Sequence, residues 1–167
     1  MTMARSSPSN FPFLTGEVVD KFAAGDVAVG GIVIKLVAAG ALNVGDFVFL
    51  SAAGKVNKSN TPANYQAAVG VVVGGKNTGM QCFTDWAAAA QISATSADND
   101  EVLVQISGIA YVVSDAAVAV AAWVGPPATT AGRVDDGANA VAGQRLGKAL
   151  AAAGGAAVKI PVLILLS

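Results

Sequence analysis

The chain has 167 residues, of which 54% are apolar and only 13% are charged, and its ten basic and eleven acidic residues leave a formal net charge of −1. A chain of this length forms one domain, or two small ones that share a core, and it needs no metal or disulfide to fold. Its cations are spread singly from Arg5 to Lys159, which argues against nucleic-acid binding and against a polybasic membrane-binding segment. The low charge and the many small residues indicate that much of the surface lies against other protein chains.

The residues that could carry chemistry do not form a catalytic or ligand-binding pattern. The sequence contains no histidine, so it lacks the commonest general base and the commonest zinc ligand. The run from Gly70 to Asn77 is close to a phosphate-binding P-loop, but Asn77 stands where that loop needs Ser or Thr. The acidic run from Asp98 to Glu101 lacks the further ligands of a calcium loop and predicts a solvated turn. The sequence therefore predicts no catalytic, cofactor-binding or metal-binding residue, and a protein that is not an enzyme.

Residues 1–16 predict an extended N-terminal arm. Several serines, together with Pro8 and Pro12, oppose regular structure there, whereas Phe11, Phe13 and Leu14 are large and apolar. Such a tail either frays, as chain termini commonly do, or docks its apolar side chains on a neighbouring chain. We take these three residues as the candidate contacts with a neighbouring subunit.

Residues 17–167 predict a single β-rich domain, because short β-branched runs alternate with Gly and Asn turns. The fold class is all-β, with a barrel, sandwich or β-tulip-like body. The predicted strands are Gly31–Val37, Asp46–Leu50, Lys55–Asn57, Ala67–Val73, Glu101–Ser107, Ile109–Val113 and Ala157–Leu165. Because only Gly108 separates two of these runs, we expect residues 101–113 to form one long bent strand. One or two short helices are expected, at Thr84–Gln91 and at Ser114–Val120.

An internal repeat is the most informative feature of the sequence. A shift of 76 residues takes Val44, Phe47 and Val48 onto Val120, Trp123 and Val124, and small changes of that shift align two further pairs of segments. These are Ala53–Val56 with Ala131–Val134, and Val69–Gly70 with Leu146–Gly147. The matches predict two β-units, at approximately residues 31–80 and 102–167, that bury their apolar faces on each other. Gly54 and Gly132, which lie in matching turns, are expected to have positive φ angles.

These repeated phrases resemble the head decoration, or capsid cement, proteins of tailed bacteriophages. The resemblance rests on Leu42–Phe49, Ala53–Val56 and Ala68–Val72, and on a second copy that runs from Trp123 to Ala149. It covers roughly residues 17–167, and the second copy departs from the first where Ala121-Ala122 replaces Gly45-Asp46.

The resemblance implies a viral structural protein rather than a catalyst. Proteins of that family bind the outside of an expanded capsid, often as trimers, and stabilise the shell. The expected partners are therefore the major capsid protein and further copies of this chain, as a homotrimer, with no nucleic acid, membrane or cofactor. The expected location is the outer surface of the virion, after synthesis in the host cytoplasm. An alternative is a carbohydrate- or surface-binding β-sandwich, for which exposed Tyr65, Tyr111 or Trp86 would be the signature.

Overall fold

The computed structural model describes residues 31–51, 54–58, 67–76, 79–80, 92–137 and 143–166, and these residues are almost entirely β-structure. The predicted all-β class is confirmed. The strands are β1 (Val33–Val37), β2 (Leu42–Val44), β3 (Phe47–Leu50), β4 (Val56–Asn57), β5 (Ala68–Gly75), β6 (Gly79–Met80), β7 (Ile92–Ser96), β8 (Glu101–Gln105), β9 (Gly108–Val113), β10 (Trp123–Gly125), β11 (Asp135–Asp136), β12 (Gly147–Ala149) and β13 (Lys159–Ile164). Within the described segments, no helix is long and apolar enough to cross a membrane.

The strands form two main antiparallel sheets and a small third one. The first sheet has the order β1-β8-β5-β3-β4, with β6 paired to β5, and the second has the order β11-β10-β12-β13-β9. The third consists of β2 and β7 alone. The body is sandwich-like, because residues of both main sheets share one apolar core, and neither sheet closes into a barrel.

The two main sheets have the same strand pairing, residue for residue. We call residues 33–105 the first unit and residues 108–164 the second unit. In the first unit β1 pairs with β8 so that Val33 lies opposite Gln105, and in the second β9 pairs with β13 so that Ile109 lies opposite Leu163. Five consecutive residue pairs follow this correspondence, with shifts of 76 and 58 residues on the two strands. The correspondence places the boundary between the units after β8, so the second unit begins later than residue 102.

The same correspondence holds at the centre of each sheet. Phe47 lies opposite Val71 on β3 and β5, and the equivalent pair on β10 and β12 is Trp123 opposite Lys148. An isolated parallel bridge also occurs in both units, between Ala38 and Val56 in the first and between the equivalent Ser114 and Val134 in the second.

The turn before the central strand is preserved although its sequence is not. Gly45 has a φ of 91° and donates its N–H to Val72 O at 2.8 Å. The equivalent residue of the second unit, Ala121, has a φ of 62° and donates to Ala149 O, also at 2.8 Å. An alanine in the left-handed region costs about 1 kcal/mol or more relative to an unstrained conformation, so the second unit keeps the turn at a cost in stability.

Two apolar clusters stabilise the body. One lies within the first unit and includes Leu42, Val48 and Val72. The other fills the second unit and also takes in Phe47, Phe49 and Val71 of the first. Because neighbouring residues of a strand point to opposite faces, β3 and β5 contribute one face to each cluster. Burying side chains of this size stabilises the fold by about 1.5–3 kcal/mol each, so the shared cluster joins the two units firmly.

Three local predictions were tested by these elements. The glycines Gly54 and Gly132 have φ angles of 73° and 86°, as predicted. The single bent strand over residues 101–113 is wrong, because β8 and β9 belong to different sheets. The helix at Ser114–Val120 is also wrong, since Ser114 and Val118 form isolated bridges there. The other predicted helix, Thr84–Gln91, lies outside the described residues.

Candidate interaction surfaces

The predicted contact residues Phe11, Phe13 and Leu14 lie outside the described residues, as does the whole predicted arm, residues 1–16. The structure therefore brings none of them to a described site. The surfaces that follow are those of the two units, beginning with the junction between them.

The junction between the units is built around a buried carboxylate. Asp46 is fully buried and accepts hydrogen bonds from the Asn43 N–H and from Lys58 Nζ, both at 2.8 Å. Next to it, Phe47 donates its backbone N–H to Gly132 O of the second unit at 2.7 Å. A Cβ atom added to Gly132 would overlap the Asp46 carboxylate, coming within 2.7 Å of its Cγ. Glycine at 132 is therefore required both by its positive φ and by this close approach.

Burial dominates the electrostatics of Asp46. It raises the pKa of the carboxyl group above the ordinary 3.8, while the nearby Lys58 ammonium and the Asn43 N–H act in the opposite direction. Lys58 keeps 23% of its side-chain surface exposed, so it brings a partly hydrated charge to the edge of the junction. Removing one partner of a buried ion pair leaves an uncompensated charge, typically at a cost of about 3–5 kcal/mol. Lys58 and the Asn43 N–H therefore offset part, but not all, of the cost of burying the charged Asp46 carboxylate.

A second carboxylate holds a loop of the second unit. Asp115 accepts hydrogen bonds from the Thr129 N–H at 2.7 Å, from the Thr129 hydroxyl and from the Thr130 N–H. Burial alone would raise its pKa, but these hydrogen bonds outweigh it, so the pKa lies below 3.8. The first unit has Ala39 at the equivalent position, and an alanine side chain cannot accept these hydrogen bonds.

The acidic loop and the glycine-rich segment that the sequence analysis weighed are part of the scaffold. Lys76, at the end of that segment, pairs with Asp100 at 2.8 Å, and Lys55 pairs with Asp98 at 3.4 Å. The valines before Lys76 form β5, as predicted. Within the described segments, no three His, Cys, Asp or Glu side chains are placed to hold a metal ion.

One surface of the second unit carries no polar side chain. Residues 117–121 and 150–156, which we call the alanine-rich face, consist only of Ala, Val, Leu and Gly. Two backbone hydrogen bonds between Val118 and Ala153, at 2.9 and 2.8 Å, hold the two segments side by side. Val120 is 60% exposed and Leu150 is 43% exposed. A contiguous, uncharged and exposed surface of this kind typically marks a contact with another macromolecule.

Beside that face lies an aromatic ring flanked by cations. Lys148 Nζ lies 4.4 Å from the centroid of the Trp123 ring, and Arg145 Cζ lies 5.5 Å from it. Lys148 also donates to Ala121 O at 3.1 Å. The buried Nε of Arg145 finds no hydrogen-bond acceptor in the part of the chain that the structure describes. We call Trp123, Arg145 and Lys148 the Trp123 face.

The aromatic residues of the carbohydrate-binding alternative are only partly described. Tyr65 and Trp86 lie outside the described residues. Tyr111 lies on β9, which forms one edge of the second sheet, and Lys159 Nζ is 5.2 Å from the centroid of its ring. A cation over the ring occupies the position that a sugar would take when it stacks on an aromatic platform.

The fold and these surfaces define a duplicated all-β body whose described ionised clusters serve structural purposes. No protein-family model matches the chain, and no curated protein has significant sequence similarity to it. Sequence reasoning missed the alanine-rich face, although residues 116–122 and 149–158 are visible in the sequence as two runs without a polar side chain. The runs are far apart in sequence, and long-range backbone pairing, of Val118 with Ala153 and of Ala121 and Ala122 with Ala149, brings them together.

Proposed function

We propose that the chain is a structural subunit of a tailed-phage virion, which binds the outer surface of the expanded capsid as a decoration, or cement, protein. The observation that carries the proposal is the alanine-rich face, because protein interfaces are depleted in charge at their centre and large exposed apolar surfaces are unusual on free monomers. The resemblance of the repeated turn-and-strand phrases to phage decoration proteins supplies the class of partner.

The proposed mechanism is mechanical. A rigid β-body sits across the junctions between capsid subunits, and several copies associated as a homotrimer contact several capsid proteins at once. Individually weak contacts then add up through effective concentration. Because the protein binds the assembled shell and not its separated subunits, binding shifts the equilibrium toward the shell. The arm, through Phe11, Phe13 and Leu14, contributes a further contact with a neighbouring subunit.

The alternative, a carbohydrate-binding module, has less support. Its signature is a row of open aromatic rings, whereas Lys159 lies over the described Tyr111 ring. The test below therefore uses a protein shell as the ligand.

The experiment mixes the purified chain with undecorated, expanded capsids of the virus that encodes it and sediments the particles over a range of protein concentrations. Leu150→Glu places a charge on the alanine-rich face and is expected to weaken binding at least tenfold. Leu50→Glu is the matched control, because Leu50 has the same 43% exposure on the first unit. Deletion of residues 1–16 tests the arm separately and is also expected to weaken binding.

Two outcomes would contradict the proposal. Failure of the unaltered chain to sediment with capsids at any concentration would refute the cement function. Equal binding by both glutamate variants and the unaltered chain would show that the alanine-rich face does not touch the shell.

A further inference from the structure

The contact between the two units is not symmetric. The first unit contributes Phe47, Phe49 and Val71 to the shared core, while the equivalent residues of the second unit are Trp123, Gly125 and Lys148, none of which belongs to a core cluster. If the units were related by a true twofold contact, both sets would be buried against each other. The contact is therefore head-to-tail, with one face of the first unit seated on a different face of the second.

The equivalent turn glycines, Gly132 and Gly54, also have different surroundings, which again shows that the contact is not symmetric. Gly132 of the second unit is pressed against Asp46 and accepts the Phe47 N–H. Its equivalent in the first unit is Gly54, which is exposed, and no atom of the described residues lies within 4 Å of a Cβ added there. No backbone hydrogen bond joins Gly54 to Trp123 in the described part of the chain. Within the described residues the Phe47 half and the Gly132 half of the contact meet once. Their equivalents, the partly buried Trp123 face and the exposed Gly54, make no matching contact with each other.

From this asymmetry we infer that a second copy of the chain completes the contact. The loop around Gly54 of one copy seats on the Trp123 face of the next, as the loop around Gly132 seats on Phe47 within the chain. A head-to-tail contact of this kind closes into a ring or continues as a filament, depending on the rotation between copies. In a closed ring of three copies, six similar units alternate around the axis. The inference deepens the self-association part of the proposed function and rests on that part alone.

The composition of the Trp123 face fits a reversible contact. Trp and Arg are the residues most enriched at the energetic centres of protein interfaces. The position of Arg145 corresponds to that of Ala68, whose N–H donates across the junction to Gly143 O at 3.0 Å. By this equivalence, Arg145 lies at the edge of the contact between copies. Lys148 replaces the apolar Val71, so the contact between copies is more polar than the contact within the chain.

Two variants test the two halves of the contact separately. Gly54→Asn adds a side chain at the open turn, and asparagine tolerates a φ of 73° better than other residues with a Cβ. Trp123→Ala removes the ring on the other half, and Lys148→Glu is the substitute on the same face if the tryptophan variant does not fold. Ile32→Asn is the control, because Ile32 is 58% exposed and precedes β1, which lies at the opposite edge of the first sheet from β4.

Sedimentation velocity and native mass spectrometry then measure association, with a reductant present so that Cys82 forms no disulfide between chains. We expect the unaltered chain and Ile32→Asn to associate equally, and Gly54→Asn and Trp123→Ala each to associate at least tenfold more weakly. A mixture of the two variants is expected to form heterodimers, since each chain retains the half that the other has lost.

Three results would overturn the inference: an unaltered chain that is monomeric at all concentrations, variants that associate like the unaltered chain, or a mixture without heterodimers. A monomeric chain that still sediments with capsids would refute this contact and leave the cement function standing. A chain that associates with itself but does not sediment with capsids would refute the cement function and leave the contact between copies standing.

Discussion

The junction between the units allows a matched pair of substitutions. Gly132 and Gly54 are equivalent turn residues, with φ angles of 86° and 73°, but only Gly132 is pressed against the buried Asp46 carboxylate. Gly54→Ala should therefore cost only the backbone strain, about 1 kcal/mol. Gly132→Ala should cost the same strain plus about 1–3 kcal/mol for forcing a methyl group into a packed site. At roughly 2–4 °C per kcal/mol for a chain of this size, the melting temperature should fall by about 2–4 °C and about 4–16 °C respectively.

The assay is thermal and urea unfolding followed by circular dichroism, at a protein concentration low enough to keep the chain monomeric. A double-mutant cycle with Asp46→Ala isolates the cause, because the second unit already has an alanine, Ala122, at the equivalent position. In the Asp46→Ala background, Gly132→Ala should cost only about 1 kcal/mol, the backbone strain. Equal losses for the two glycine variants, or the same loss with and without Asp46, would refute the close approach as the reason for glycine at 132.

Three further substitutions test the turn and the two buried carboxylates. Ala121→Gly, at a φ of 62°, should raise the free energy of unfolding by up to about 1 kcal/mol in urea titrations, whereas Ala119→Gly, at an exposed position without positive φ, should lower it. The pKa of Asp115 is lowered in the fold, so its contribution is present above the unfolded value of 3.8 and is lost as pH falls through the folded pKa. Thr129→Val should therefore lower stability at neutral pH by about 1 kcal/mol and flatten the acid-side loss, and an unchanged acid profile would contradict this. The pKa of Asp46 is raised by burial, so stability falls as pH rises from 3.8 through the folded pKa, and Asp46→Asn should remove that part of the pH dependence.

The main strands could be predicted because their patterns are long enough to read. In β13, Lys159–Ile164, every second residue is buried, which is the period of a strand. Most of the strands that the sequence analysis missed are only two or three residues long, as in β12, Gly147–Ala149, and so show no period. The five-residue strand β7, Ile92–Ser96, was also missed. Gly108, which has a φ of 87°, was visible in the sequence as a break between two β-type runs. The sequence did not show that the chain passes there from one sheet to the other, because a bend within one strand has the same local sequence.

The wrong helix and the missed surface have one physical cause. Residues 114–120 are rich in alanine, the residue with the best intrinsic helix propensity. In the fold, the parallel bridge of Ser114 to Val134 and the antiparallel bridge of Val118 to Ala153 extend this segment instead. Propensity is a local property of fractions of a kcal/mol per residue, and pairing with distant segments outweighs it. The same distant pairing assembles the alanine-rich face.

Equivalent residues of the two units differ in burial, and this difference explains why the alanine-rich face is exposed. Val44 and Val120 occupy the same position in the two units, but Val44 is 3% exposed and Val120 is 60% exposed. In the first unit β7 pairs with β2 and lies opposite Val44, within the long connection from β5 to β8. The second unit connects β12 to β13 by residues 150–158, which form no equivalent strand. The exposed Val120 side chain contributes little burial free energy in a free monomer. A partner that docks there would bury it, which is worth about 1.5–3 kcal/mol for such a side chain. The shorter connection thus leaves exposed apolar side chains beside the second sheet, which is what the proposed function needs.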